Sequence, residues 1–440
     1  MSIEIERSGT QEVALDLQEN QKNGLEKLTR LLRGIGACVL ITSGLVYLLQ
    51  EWHSLSHMTR YICFLLFTVV TAGTGLFCGS KLKDFKSARV LLMVVAATIS
   101  IHFTQVGAFL YSAFGHALSY YPALLYYKAA SPQAALLLLL TALPALVCLT
   151  LLAFRVLIRP IFVNYSMLYL GLNAVLLIPS RDPLFAAIAG MLGVIVIATF
   201  ELRLLRNFSV ATTFEGKMVR LMLLAPVGII FVRTMSLYSV TASLLAALFF
   251  AVSILLYVLV PQMFRSEGLG NVSRVSSAFT LGLAFLCAMH AIDKVFMIPI
   301  VFEVPFVVLP LSAAYVFMGL QHKGTQKVFM GLASVVATIP LLIQMNHFDS
   351  VFTSSLGLLV SIVVLVSGYM GKSLFNFLVG AFAFGLTILY HLEFAFELYT
   401  YSLWVSLGVT GLFSVVVAAL LERYHQKLEL GLRNLRARFQ

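Results

Sequence analysis

The chain has 440 residues, of which 60% are hydrophobic and only 11% charged, with a formal net charge of +11. A soluble domain carries about 25% charged residues, so there is too little charge here to clothe a water-exposed globule, and a string of soluble domains is excluded. Mean hydropathy is +0.95, and the natural unit of description is the membrane span of about 20 apolar residues.

A polar segment of mixed charge occupies 1–33 and is expected to be cytoplasmic. It is too long to be the short basic region of a cleavable signal peptide. Fourteen apolar runs follow, near 34–50, 61–79, 90–112, 134–154, 161–178, 184–200 and 221–236, then near 240–260, 278–290, 304–321, 328–345, 351–370, 373–390 and 401–421. The runs are continuously apolar and do not alternate, which predicts helices and not barrel strands. The expected fold is therefore all-α, a polytopic transmembrane bundle of about fourteen spans over 34–421. Within the longest outer segment, 114–133, four tyrosines predict an interfacial or re-entrant piece. After the last run, 422–440 form a basic amphipathic tail, with Tyr424, Leu428, Leu435 and Phe439 at helical spacing. Such a tail suits a membrane surface or a protein partner.

Lysine and arginine alternate from loop to loop. One set of loops, together with both ends, holds 25 of the 30, including Lys81, Lys83, Lys86 and Arg89; the other set holds only Arg60, Lys128, Arg181, Arg233 and Lys294. This is the positive-inside pattern, and a miscounted span would scramble it. Both termini are therefore expected in the cytoplasm, with anionic lipid headgroups as the partner of the basic charge. Nucleic acid is not required. A cysteine introduced between Lys81 and Lys86 of a cysteine-free variant is expected to react with an impermeant maleimide only after cells are permeabilised. Labelling in intact cells would overturn this topology.

Ionisable groups at membrane depth are expensive, and they face a bundle interior or a wet cavity. At about 1.5 Å per residue, His102 lies roughly 20 Å beyond Arg89, and Arg233 the same distance beyond Arg220. With Gln105, His290, Asp293 and Gln344 they form a polar layer in the outer half, a candidate substrate vestibule. His290 and Asp293 are three apart and share a helical face, so the carboxylate could hold the imidazole. His53 and His57 have metal-compatible spacing only if their loop is helical. The five cysteines show no CxxC pair, and no Walker, GxSxG, HExxH or dinucleotide motif occurs. No catalytic residue, metal site or cofactor is assigned.

Pro144, Pro226, Pro310 and Pro340 fall inside spans, and APVG (225–228) is the best candidate for a broken helix. Gly34/Gly36 and Gly73/Gly75 predict close helix packing. A faint internal echo links RVLLMVVAATISIHFTQ (89–105) with KVFMGLASVVATIPLLIQ (327–344), as expected of equivalent helices in a duplicated unit.

The stretch LLRGIGACVLITSGLVYLLQEWHSLSHMTRY, a glycine-bearing first span leading through a Trp-containing turn to an Arg that opens the second, resembles a domain-of-unknown-function family of polytopic bacterial inner-membrane proteins. Gln105 follows the same pattern. The resemblance covers the first quarter of the chain; it implies a bacterial cytoplasmic membrane and supplies no activity. Three functions stay open. The leading expectation is a non-catalytic membrane scaffold, sensor or accessory subunit; the alternative is a secondary transporter or flippase using the polar layer. A membrane enzyme acting on a lipid-linked substrate is third.

Overall fold

The computed structural model of the protein describes residues 27–47, 55–115, 126–203, 213–264, 266–348, 351–399 and 415. Every regular element among them is helical, and thirteen helices are long and apolar enough to cross a membrane. The chain is a multi-pass, all-α membrane protein. The fourteenth expected run lies almost wholly outside the described residues, as do 1–26 and the tail 422–440.

In chain order the helices are α1 (Lys27–Tyr47), α2 (His57–Ser80), α3 (Phe85–Phe114), α4 (Pro132–Leu157), α5 (Arg159–Leu177), α6 (Pro183–Arg203) and α7 (Phe214–Leu237). There follow α8 (Ala242–Met263), α9 (Glu267–Phe296), α10 (Ile300–Gln321), α11 (Gln326–His347), α12 (Val351–Met370) and α13 (Leu374–Tyr399). Their starts are written in the loops. Ser56, Asp84, Ser131, Thr213, Thr241 and Ser266 each accept a backbone N–H from the first turn that follows, and Pro132 takes the first helical position after Ser131. These caps satisfy donors that the helix itself leaves unpaired.

Two expectations need correction here. The APVG stretch does not break a helix: α7 runs unbroken through Pro226. The irregular turn is instead a π-helical segment at Leu255–Leu259 in α8, just before Pro261, where the Tyr257 hydroxyl donates to the Met318 carbonyl at 2.9 Å. Nor do Gly34, Gly36 or Gly73 serve close packing, since a Cβ added at any of them would meet nothing within 4 Å. Of the four glycines in that reading only Gly75 is tight, against Leu91 and Leu92 at 3.3 Å. Gly107, which the reading passed over, is tighter still: a Cβ there would overlap the Leu176 carbonyl.

The helices divide into two compact units, one ending at Val240 and the other beginning at Thr241. Within the first, α3 is the most buried helix and packs on α2, α4 and α7. Two buried tyrosines of α5 cross-tie it: Tyr169 donates to the Ala96 carbonyl of α3 at 2.9 Å, and Tyr165 to the Val219 carbonyl of α7 at 2.7 Å. Within the second unit α11 is the most buried, packed on α10, α12 and α13. The two stretches that echo each other in sequence are thus the two central helices. They stand third and fourth among the described helices of their units, so a repeat relating them is offset by eight helices and does not coincide with the unit boundary.

Candidate functional site

The first unit gathers its polar residues where the start of α2 meets the second half of α3. On α2, His57, Tyr61, Phe64 and Thr68 recur every three or four residues and so share one face, with Arg60 beside them. On α3, His102, Gln105 and Phe109 do the same. Tyr127 completes the group from an extended segment before α4, held by a hydrogen bond from Gln105 Nε2 to its hydroxyl at 2.9 Å and by the Ala129 N–H donating to Ser112 Oγ at 3.0 Å. Residues 116–125 of the outer segment, expected to be interfacial, lie outside the described residues; Tyr127 at its end is buried.

The rings knit the cluster. His102 lies 4.5 Å from Phe64 and 5.7 Å from Tyr61, centroid to centroid, and Phe109 meets Tyr127 at 5.3 Å. The Arg60 guanidinium carbon stands 5.5 Å from the Tyr127 ring centroid, a cation–π arrangement. Burial and the nearby Arg60 and Gln105 act on the Tyr127 phenol in opposite directions; burial dominates and raises its pKa, so it stays a neutral hydroxyl.

Arg60 is 6% exposed, His102 and Tyr61 0%, Gln105 5%. His102 Nε2 lies 2.8 Å from Thr68 Oγ1, and that hydroxyl donates back to the Phe64 carbonyl at 3.1 Å. With the hydroxyl hydrogen so used, the imidazole N–H sits on Nε2 and Nδ1 is left as an acceptor. Inside the cluster His102 Nδ1, His57 Nδ1, Gln105 Oε1 and Tyr61 Oη are buried with no hydrogen-bond partner. Buried polar atoms are normally satisfied, so four at one place call for a polar partner, whether ordered water or a solute.

Its charge is equally uneven. The acids among the described residues of this unit are Asp84, Asp182, Glu201 and Glu215, and each is engaged elsewhere. Asp84 caps α3, Asp182 accepts the Phe185 N–H at 3.2 Å, Glu201 pairs with Arg220 at 2.7 Å and Glu215 with Arg89 at 2.9 Å. Arg60 is therefore a buried cation with no carboxylate among the described residues to balance it. Such a group, beside a phenol donor, two acceptors (His102 Nδ1 and Gln105 Oε1) and the His57 ring, can hold a small anion that also carries hydroxyl or amine hydrogens.

Of the six expected vestibule residues, the structure brings together only His102 and Gln105, and both are enclosed. Arg233 is half-buried on α7. His290, Asp293 and Gln344 belong to the second unit. There Gln344 is buried and donates to the Val301 carbonyl at 2.6 Å. The expected His290–Asp293 pair does not form. Asp293 Oδ1 takes the Ile298 N–H at 3.1 Å, its backbone carbonyl takes the Met297 N–H, and Met297 turns the chain with φ 47°, so the carboxylate ends α9 and His290 stays exposed. His53, the possible partner of His57, lies outside the described residues.

Sequence reasoning passed over Arg60, Tyr61 and Tyr127. One signal pointed to Arg60: it is among the few cations on the side where the charge rule disfavours them. No protein family, no curated protein and no solved structure matches the chain.

Proposed function

We propose that the protein is a secondary transporter of a small anionic solute, recognised at Arg60 and the polar groups around it. The observation that carries this reading is the enclosed guanidinium with no carboxylate partner among the described residues, set among buried polar atoms that lack a protein partner. A scaffold gains nothing from a buried unbalanced charge, which is destabilising unless something pairs with it. A carrier gains specificity and a reason to close around its substrate. The enclosure suits an occluded state, from which α2, or the Tyr126–Ala129 segment, would move aside for release. The scaffold alternative rests on the basic tail, which lies outside the described residues. A bacterial cytoplasmic membrane, with the Arg60 end facing outward, completes the proposal.

The test uses the full-length protein in nanodiscs and a panel of small carboxylates and phosphates, with thermal stability as readout. At least one anion is expected to stabilise the wild type, and Arg60→Gln should weaken its apparent affinity at least tenfold, since a charged, hydrogen-bonded contact is worth roughly 1.5–3 kcal/mol. Arg60→Lys should retain part of it. If no anion stabilises the wild type, or Arg60→Gln responds as the wild type does, the transport reading fails and the scaffold reading takes its place.

A further inference from the structure

From the shape and lining of the cleft under α1 we infer a binding site for one anionic glycerophospholipid, an acyl chain lying in the cleft and the phosphate held by Arg30, Arg33 and Lys86. This site uses the other end of α3 and does not depend on the transport reading.

Among the described helices of its unit α1 is the one with no buried residue, yet it is fastened at both ends. Arg33 Nε lies 3.7 Å from Asp84 Oδ2 near its start, and near its end the Tyr47 hydroxyl donates to the Arg60 carbonyl at 2.8 Å. Between these fastenings the helix stands off α2, α3 and α7, leaving a cleft of about 800 Å³. The α1 wall has Gly34, Ala37, Ile41 and Gly44 as one helical stripe, flanked by Leu40 and Leu45, and a Cβ at either glycine would meet nothing within 4 Å. The small residues are not there to let another helix approach. They keep the cleft wide.

The opposite wall on α3 is Val90, Met93, Val94, Ala97, Thr98 and Ile101, apolar but for one threonine. From Lys86 to Ile101 this wall runs about 22 Å at ~1.5 Å per residue. One leaflet of a ~30 Å hydrocarbon core is about 15 Å deep, so a chain reaching the bilayer centre fits with room to spare. All the charge in the lining is at one end, and all of it is positive: Arg30, Arg33 and Lys86. Asp84 offsets Arg33; the Ser87 hydroxyl bonded to its carboxylate holds its pKa below the usual range, with Arg33 adding to the effect, so it stays ionised. Arg30 and Lys86 have no carboxylate partner among the described residues. The complement of an apolar slot with a cationic mouth, lying within a leaflet, is an anionic headgroup on a hydrocarbon chain.

Native mass spectrometry of the full chain, released from nanodiscs of phosphatidylcholine and phosphatidylglycerol in equal parts, reads the site directly. One retained phosphatidylglycerol is expected, favoured at least tenfold over phosphatidylcholine. Arg30→Gln with Lys86→Gln should abolish the preference, Arg30→Lys should keep it, and Gly44→Phe, which fills the slot, should lose the bound lipid whatever its headgroup. Equal retention of both lipids by the wild type would overturn the inference without any variant being made. So would retention by Gly44→Phe, or displacement of the lipid by inorganic phosphate, which would mark an ion site with no role for the chain.

Discussion

Glu201→Ala is expected to destabilise the protein by about 3–5 kcal/mol, the usual consequence of stranding one member of a buried ion pair. Glu201 and Arg220 face each other between α6 and α7 at 2.7 Å, with side chains only 2% and 4% exposed. Removing the carboxylate takes its ion-pair partner from a buried guanidinium, and Arg220→Ala strands the carboxylate just as badly. Removing both charges should be nearly harmless, because a buried pair often gives no more stability than apolar residues of the same volume. Thermal unfolding of Glu201→Leu, Arg220→Met and the double variant in one detergent forms the required cycle. Two damaged single variants and a near-native double variant are expected. Single variants within about 1 kcal/mol of the wild type would show that the pair is not buried as described. Because Tyr165 binds the Val219 carbonyl at the same level, α5, α6 and α7 are all joined there.

The helices were legible in the sequence because lipid imposes one local demand, an uninterrupted apolar run, and hydropathy reads it. What hydropathy reads is only the part inside the lipid. The run expected near 278–290, with an extension back to Val275 or beyond, is the middle of α9, which has 30 residues and spans about 45 Å, well beyond a ~30 Å core. Ser266 starts that helix, and the polar turns holding Asn271 and Arg274 extend it past the apolar run. Proline was over-read for a related reason: Pro226 looks like a break in one dimension, yet the helix around it continues.

The candidate site was half legible. His102 and Gln105 stood out because polar groups deep in a span need a reason. Arg60 and Tyr127 did not, since each sits near a boundary where a charge or a tyrosine is ordinary. Only the fold places positions 60, 105 and 127 together, through α2–α3 packing and the Gln105–Tyr127 bond. The same holds for Arg220, which in sequence is one more basic loop residue and in the structure is buried against a glutamate on the preceding helix. The His290–Asp293 expectation failed at a helix end. Three-residue spacing puts two side chains on one face, but the Ile298 N–H in the turn beyond α9 takes the carboxylate instead.

The second large effect is expected at Gly380, where α12 and α13 form a hairpin so close that their backbones touch. A Cβ at Gly380 would overlap the Leu365 backbone nitrogen, and one at Gly368 would overlap that of Phe377. The hairpin turns at Lys372, φ 52°, with Ser373 N–H donating to the Gly368 carbonyl at 3.0 Å. Neither helix can yield by rotating a side chain, because what lies opposite is main chain. Gly380→Ala should lose about 1–3 kcal/mol, as overpacking does, and Gly380→Leu more, by forcing the helices apart. Gly368→Ala with Gly380→Ala should lose less than the two losses added, since the first change already opens the contact the second would strain. Gly385 supplies the control on the same helix. A Cβ there meets nothing within 4 Å, so Gly385→Ala should be neutral or gain up to about 1 kcal/mol from helix propensity. If thermal unfolding finds Gly380→Ala as harmless as Gly385→Ala, the backbones of α12 and α13 do not touch, and the tight hairpin is wrong.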